Sequence, residues 1–398
     1  MAKWVLRHVQ LVLADRTLPL GYIAVDGDRL EAIGEGEPPE ALSGLASVDG
    51  EGGILAPGFI DLHVHGGGGC DFMDGTLEAI VTAARAHLAH GTTTIAPTTL
   101  ACSDEELFRF FAHYERALRV ENMPRLAGIH LEGPYFSKNQ AGAQPPEYLR
   151  VPEPAHYQAI LERGKGHIIR WSLAPELDGA LALGDELKAR GILASIGHSD
   201  ADYEAVCRAM EHGFTHITHF YSGMSSLTRR DGFRVLGVVE CGYLFDQLHT
   251  EIIADGMHLP PELLRLIVKQ RPHEQISLVT DAMRGAGMPE GPSVLGSREH
   301  GLPVVVQGGV ARMLDLSGFA GSVATSDRLV RTMVRMAGLA LHEAVAMMTL
   351  HPARLLGREA ELGSLEAGKK ADLVLLDEQL RARRVWVGGA EMKTPKEA

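Results

Sequence analysis

The sequence predicts an α/β fold, a TIM (β/α)8 barrel with a small β-sandwich domain built from both termini. Three observations predict it. Eight short β-like runs alternate with helical patterns between residues 59 and 281, and eight is the strand count of a closed parallel barrel. The first fifty residues and the last forty share a different, turn-rich β style. Five of the eight runs end in a residue able to bind a metal or move a proton, and strand C-terminal ends are where a barrel gathers its active site.

The elements follow in chain order. Residues 5–13 and 22–25 are strand-like, with the turn signals Leu20-Gly21 and Asp26-Gly27-Asp28 around them. The barrel runs are 59–65, 93–99, 126–132, 168–174, 192–198, 216–221, 250–255 and 276–281. The strand-like style returns at 371–377 and 384–389. The economical division is therefore a β-domain from residues 1–54 and 360–398, with the barrel of residues 55–359 inserted between. A chain of 398 residues suits this plan, since a barrel takes about 250 and an accessory domain the rest.

Composition narrows the function classes. An apolar fraction of 45% with dispersed charge describes a soluble globular protein. A net charge of −13 argues against general nucleic-acid binding, and an anionic substrate would need a local arginine or histidine cluster. No apolar stretch approaches a membrane span. The first residues lack the apolar core of a secretory signal. The four cysteines show no CxxC spacing, which fits reduced thiols and a cytoplasmic location.

The strand ends carry the chemistry. The run Phe59-Ile60-Asp61-Leu62 leads into His63 and His65, two residues apart and so on one face of a strand, before Gly66 to Gly69 open a loop. The third run ends in Glu132, the fifth in Gly197-His198-Ser199, the sixth in His219 and the eighth in Asp281. Each residue taken singly has an ordinary structural explanation, such as a helix cap or a polar loop. Brought to one barrel mouth, neutral imidazoles and a carboxylate suit zinc or a similar divalent ion, and a carboxylate remains for proton transfer.

With those residues in hand, the chain resembles the amidohydrolase superfamily, and within it the N-acetylglucosamine-6-phosphate deacetylases. The resemblance spans nearly the whole length. It rests on residues 57–66, Gly91-Thr92-Thr93-Thr94, His130-Leu131-Glu132-Gly133-Pro134 and Leu173-Ala174-Pro175-Glu176. It continues through Gly197-His198-Ser199, Thr218-His219-Phe220-Tyr221, residues 254–258, residues 279–282 and the terminal residues 368–373. It implies that Glu132, His198 and His219 hold the main divalent ion. It further implies that His63 and His65 permit a second ion, that Asp281 is the general acid/base, and that His258 binds substrate. Arg230 falls where the family places an arginine on the substrate phosphate, within the chain or across a dimer interface; Arg229 and Arg234 compete for that assignment. Two positions depart from the family pattern. Ser222-Gly223 stands where Asn-Ala is common beside the phosphate. Gln144 stands where a histidine commonly polarises the scissile carbonyl.

The reading that results is a cytosolic enzyme hydrolysing N-acetylglucosamine 6-phosphate to glucosamine 6-phosphate and acetate. It would use one or two divalent ions (zinc first, iron or manganese otherwise) and work as a homodimer on a small-molecule sugar phosphate. Rival readings are a deacetylase of another N-acetylated sugar phosphate, such as the galacto epimer, and an amidohydrolase of a non-phosphorylated amide. A non-catalytic binding protein on this fold ranks last, because it would have no need of Asp281 beside a full ligand set.

Overall fold

The computed structural model describes residues 3–393. Its centre is the parallel barrel. The strands are Phe59–Val64, Thr92–Pro97, a third split into Arg125–Leu126 and Ile129–Glu132, then Ile168–Leu173, Leu193–Ile196, Phe214–Ile217, His249–Ile252 and Ile276–Leu278. Neighbours in this order pair in parallel from the first through the eighth, Arg125–Leu126 pairing with the second strand and Ile129–Glu132 with the fourth. A bridge between Thr98 and His130 joins the second to the third. The ring closes where Asp281 N–H donates to the His63 carbonyl and His65 N–H to that of Ala282, both at 2.8 Å. Closure thus runs through the candidate site residues.

Both faces of these strands are covered, so Phe59–Val64 and Thr92–Pro97 are buried at every position. The outer face packs on helices whose starts are encoded locally. Ser103 accepts the Glu106 N–H at 3.3 Å while the Glu106 carboxylate reaches back to Ser103, a reciprocal cap that opens Asp104–Ala117. Thr76 and Asp202 cap Leu77–Leu88 and Tyr203–Glu211 more simply, each side chain accepting one backbone N–H, from Ala79 and Ala205. The inner face is polar. Arg170 donates to Ser195 Oγ (3.1 Å) and Thr218 Oγ1 (2.9 Å), His130 meets Ser172 Oγ at 2.7 Å, and His249 meets Ser277 Oγ at 2.8 Å.

The two ends of the chain share one eight-stranded sheet. Leu373–Leu376 runs antiparallel to Ile54–Pro57, which lies parallel to Trp4–Val12; Thr17–Asp26 and Arg29–Glu35 continue one side and Ala382–Val387 the other. Leu6, Val9, Leu11, Ile23, Leu55, Leu373 and Trp386 form a core of its own, with Trp4 stacked on Trp386 at 5.9 Å. Each terminal segment thus supplies hydrogen-bond partners that the other lacks.

Two elements were not anticipated. A four-stranded antiparallel sheet, Gly291–Leu295, Leu302–Gln307, Val310–Met313 and Phe319–Ser322, follows the eighth barrel strand and reaches its mouth. A short hairpin, Thr228–Arg230 with Phe233–Val235, projects into solvent. Among the described residues no helix is long and apolar enough to cross a membrane.

Burial also sets an acid limit on stability. His87 donates from Nε2 to the Gly66 carbonyl at 2.8 Å, and burial pushes its pKa down from the ordinary 6.5 to about 4. The unfolded chain takes up a proton that the folded chain refuses. The stability is therefore complete above about pH 6.5 and falls as pH drops toward 4, by about 2 kcal/mol near pH 5. His87→Gln, whose amide can donate to the same carbonyl without titrating, is expected to lose about that much less between pH 7 and pH 5. Denaturant unfolding at the two pH values measures it, and identical losses in both proteins would contradict the assignment.

Candidate active site

The strand ends converge as the spacing suggested. Glu132 lies at the centre of the cluster. Its Oε1 is 3.0 Å from His219 Nε2, 3.3 Å from His198 Nε2 and 3.4 Å from His63 Nε2; its Oε2 is 3.4 Å from His65 Nε2. Asp281 faces it across the first-strand pair, with Oδ1 3.0 Å from His65 Nε2 and 3.4 Å from His63 Nε2. All six side chains are buried and resolve into two donor groups, Glu132 with His198 and His219, and His63 with His65 and Asp281.

The backbone is bent to achieve this. His198 (φ 47°), His219 (φ 27°) and Asp281 (φ 46°) all adopt positive φ. In a residue with a Cβ this costs roughly 1–3 kcal/mol and persists only where the surroundings dictate it. Glycines do the same work where side chains would collide. A Cβ on Gly66 would sit 2.3 Å from the Cys70 carbonyl, so the chain can leave the His63–His65 strand sharply.

The donor set fits a divalent cation. His198 Nδ1 faces the Gln140 carbonyl at 2.7 Å; a carbonyl only accepts, so Nδ1 carries the hydrogen and Nε2 presents a lone pair. His198 Nε2 and His219 Nε2 stand 3.1 Å apart, both directed at one Glu132 oxygen. His63 Nε2 is buried without a hydrogen-bond partner. Converging lone pairs and carboxylates with buried polar atoms unpaired are what a cation resolves. The charges already lean that way. Burial works to raise the Asp281 and Glu132 carboxyls, but the imidazoles outweigh it, His63 foremost, and hold both below the ordinary carboxylate range.

All of these residues but the fully buried His63 open onto one cavity of about 270 Å³, lined also by Gln144, Ser222, Gly223, His258, Leu295 and Phe319. His258 Nδ1 meets Asp255 Oδ2 at 2.9 Å, and Phe319 packs on its ring at 4.8 Å. Gln144 donates to Glu132 Oε2 at 2.7 Å and accepts the Ala101 N–H at 2.9 Å. Its amide is thus engaged in holding Glu132, while its carbonyl is tied to the main chain. Gly223 has φ 55°, and a Cβ there would lie 2.9 Å from His198 Nδ1. That contact explains glycine in a place where the family resemblance leads one to expect alanine.

Arg230 is not brought to this cavity within the chain. Its side chain is 69% exposed on the solvent-facing hairpin and pairs with Asp202 at 3.4 Å. Arg229 and Arg234 are exposed on the same hairpin. Sequence reasoning missed Glu251 and Arg170, which form a buried ion pair under the site, as well as Asp255. The available signal was a charged residue inside a buried strand, Glu251 in His249–Ile252 and Arg170 in Ile168–Leu173.

Comparison with known proteins agrees with the geometry. The amidohydrolase family profile matches residues 54–396. The chain is 35% identical over 337 residues to an N-acetylgalactosamine-6-phosphate deacetylase of Escherichia coli O157:H7, covering 84% of this chain and 87% of that protein. It is equally 35% identical over 337 residues to an N-acetylglucosamine-6-phosphate deacetylase of Vibrio furnissii, covering 84% and 82%. The structure of a mutant N-acetyl-D-glucosamine-6-phosphate deacetylase from Mycobacterium smegmatis, in complex with N-acetyl-D-glucosamine-6-phosphate, superposes with a TM-score of 0.90. Identity there is 32%, over 99% of this chain and all of that one. By fold, ligand geometry and these similarities, the chain belongs to the amidohydrolase family, among its N-acetylglucosamine-6-phosphate deacetylases.

Proposed function

We propose that the chain is a divalent-metal-dependent deacetylase that hydrolyses N-acetylglucosamine 6-phosphate to glucosamine 6-phosphate and acetate. One observation carries the proposal: Glu132, His198 and His219 form one buried donor group and His63, His65 and Asp281 a second beside it, both reaching a single cavity. Glu132, His198 and His219 would hold one ion, and His63 and His65 a second. A bound divalent ion supplies Lewis acidity, easing ionisation of water and polarising a carbonyl. Zinc suits the donors, and iron or manganese would also be accepted by imidazole and carboxylate.

Asp281 then acts twice. As an ionised carboxylate it accepts the proton of the attacking water. It returns that proton to the leaving nitrogen, without which the tetrahedral intermediate would expel water's oxygen rather than the amine. His258, its Nδ1–H fixed on Asp255, keeps Nε2 to accept from a sugar hydroxyl. Gln144 steadies Glu132.

The phosphate raises a charge problem. No arginine or lysine lines the cavity among the described residues. A dianion therefore calls for a cation from elsewhere, and Arg230 of a second copy is the candidate, which makes the working unit a homodimer. The four free cysteines fit a reducing cytoplasm.

A second reading is supported by the similarity to the Escherichia coli O157:H7 relative: the galacto epimer as substrate, with Ser222 shaping that end of the cavity. Acetate release from N-acetylglucosamine and N-acetylgalactosamine, each with and without a 6-phosphate, tests both. The 6-phosphorylated gluco sugar is expected to be turned over best. A preference for the galacto phosphate would select the second reading, and equal rates on free and phosphorylated sugars would overturn both.

A further inference from the structure

We propose that Glu251, on the seventh barrel strand, is a positioning residue that makes His63 a competent metal ligand and ties the two donor groups to each other. The inference rests on reading those groups as divalent-ion sites.

Glu251 is only 3% exposed, and every bond it makes is to a defined donor. Its Oε1 lies 2.7 Å from His63 Nδ1 and accepts the backbone N–H of His219 at 3.0 Å. Its Oε2 accepts from Nη1 of the Arg170 guanidinium, whose Nη2 donates to Ser195 and Thr218. An ionised carboxylate can only accept, so the hydrogen between Glu251 and His63 belongs to Nδ1. The lone pair of His63 is thereby assigned to Nε2. That atom is 3.4 Å from both Glu132 Oε1 and Asp281 Oδ1, and is buried with no hydrogen-bond partner. His65 has no such support: its Nδ1 is buried without a partner. On the side away from the donor cluster, an acceptor meets the Nδ1 of only one member of the first-strand pair, His63, and that acceptor is Glu251.

The same oxygen reaches the other group. His219 sits at φ 27°, and its N–H bond to Glu251 helps to hold that backbone. Arg170 completes the device. Being a donor only, it forbids Glu251 from turning a hydrogen toward His63.

Substitution exposes the logic. In Glu251→Gln one amide oxygen must serve Arg170, His63 and His219. If it faces Arg170, the NH2 group faces His63 Nδ1 and forces the hydrogen onto Nε2, blocking ligation. If it faces His63, the NH2 group abuts a buried guanidinium left without a counter-charge. Because that can cost folding, the double variant Arg170→Met with Glu251→Leu is the companion. It replaces the pair by apolar groups, an exchange that buried ion pairs commonly tolerate, and leaves His63 Nδ1 with no acceptor.

The test is zinc titration of the metal-stripped chain against a competing chromophoric chelator, with ion content measured after gel filtration and folding checked by circular dichroism. The wild-type chain is expected to hold two ions. The folded variants should hold one at concentrations where the wild type holds two, with affinity for the other lowered about 10- to 100-fold. Two ions bound with unchanged affinity in a folded variant would overturn the inference alone. A wild-type chain that holds fewer than two would overturn it together with the two-ion reading.

Discussion

Asp281→Asn is expected to lower kcat by at least about two orders of magnitude, the lower end for a general acid/base. Asparagine keeps the size and polarity of the side chain but cannot carry a proton from water to the leaving nitrogen. The native carboxylate is suited to that transfer. Burial tends to raise its pKa, but the neighbouring His63 and His65 hold it below the ordinary carboxylate range. Its Oδ1 also lies 3.0 Å from His65 Nε2 and 3.4 Å from His63 Nε2, within the first-strand donor group. The variant should therefore retain the ion of Glu132, His198 and His219 while binding at the His63–His65 group weakens. Steady-state kinetics with ion content measured on the same preparation separates the two effects. Near-normal turnover would mean that another group moves the proton.

The second large effect is expected in substrate binding. Arg230→Ala should raise KM for the 6-phosphorylated sugar by on the order of 10- to 100-fold, the loss of a charge-assisted contact, while kcat changes little. The same substitution should leave stability nearly unchanged, because the Arg230–Asp202 pair is exposed and such pairs contribute little. If Arg230 acts on the neighbouring subunit, mixing Arg230→Ala with Asp281→Asn creates heterodimers in which one site has both residues. Activity above that of either parent is the expected result. Unchanged KM in Arg230→Ala would require a different phosphate ligand.

How much could be read beforehand follows from which interactions are local. His63, His65, Glu132, His198, His219 and Asp281 were legible because each ends a short strand, and a barrel brings strand ends together whatever the details of packing. The eight barrel runs were legible for the same reason, as apolar stretches between helical patterns. Glu251 and Arg170 were not. They lie on the seventh and fourth strands, and a charge within a barrel strand makes sense only when its partner across the barrel interior is in view. Gln144 was placed at the cavity, but its bond to Glu132 depends on a loop geometry that no local pattern encodes. The sheet of residues 291–322 had a usable signal: Val304 to Gln307, Gly308-Gly309, then Val310 reads as a hairpin. Arg230 was singled out by its distance from His219 along the chain, yet that distance could not say which subunit's cavity it serves.

The most direct measurement is acetate release from N-acetylglucosamine 6-phosphate by the chain, stripped of metal and then reloaded with a divalent ion. The loaded chain is expected to release acetate and glucosamine 6-phosphate in equal amounts, with none after chelation and recovery when the ion is restored. Turnover that survives complete removal of metal, or a metal-loaded chain that leaves this amide intact, would contradict the assignment.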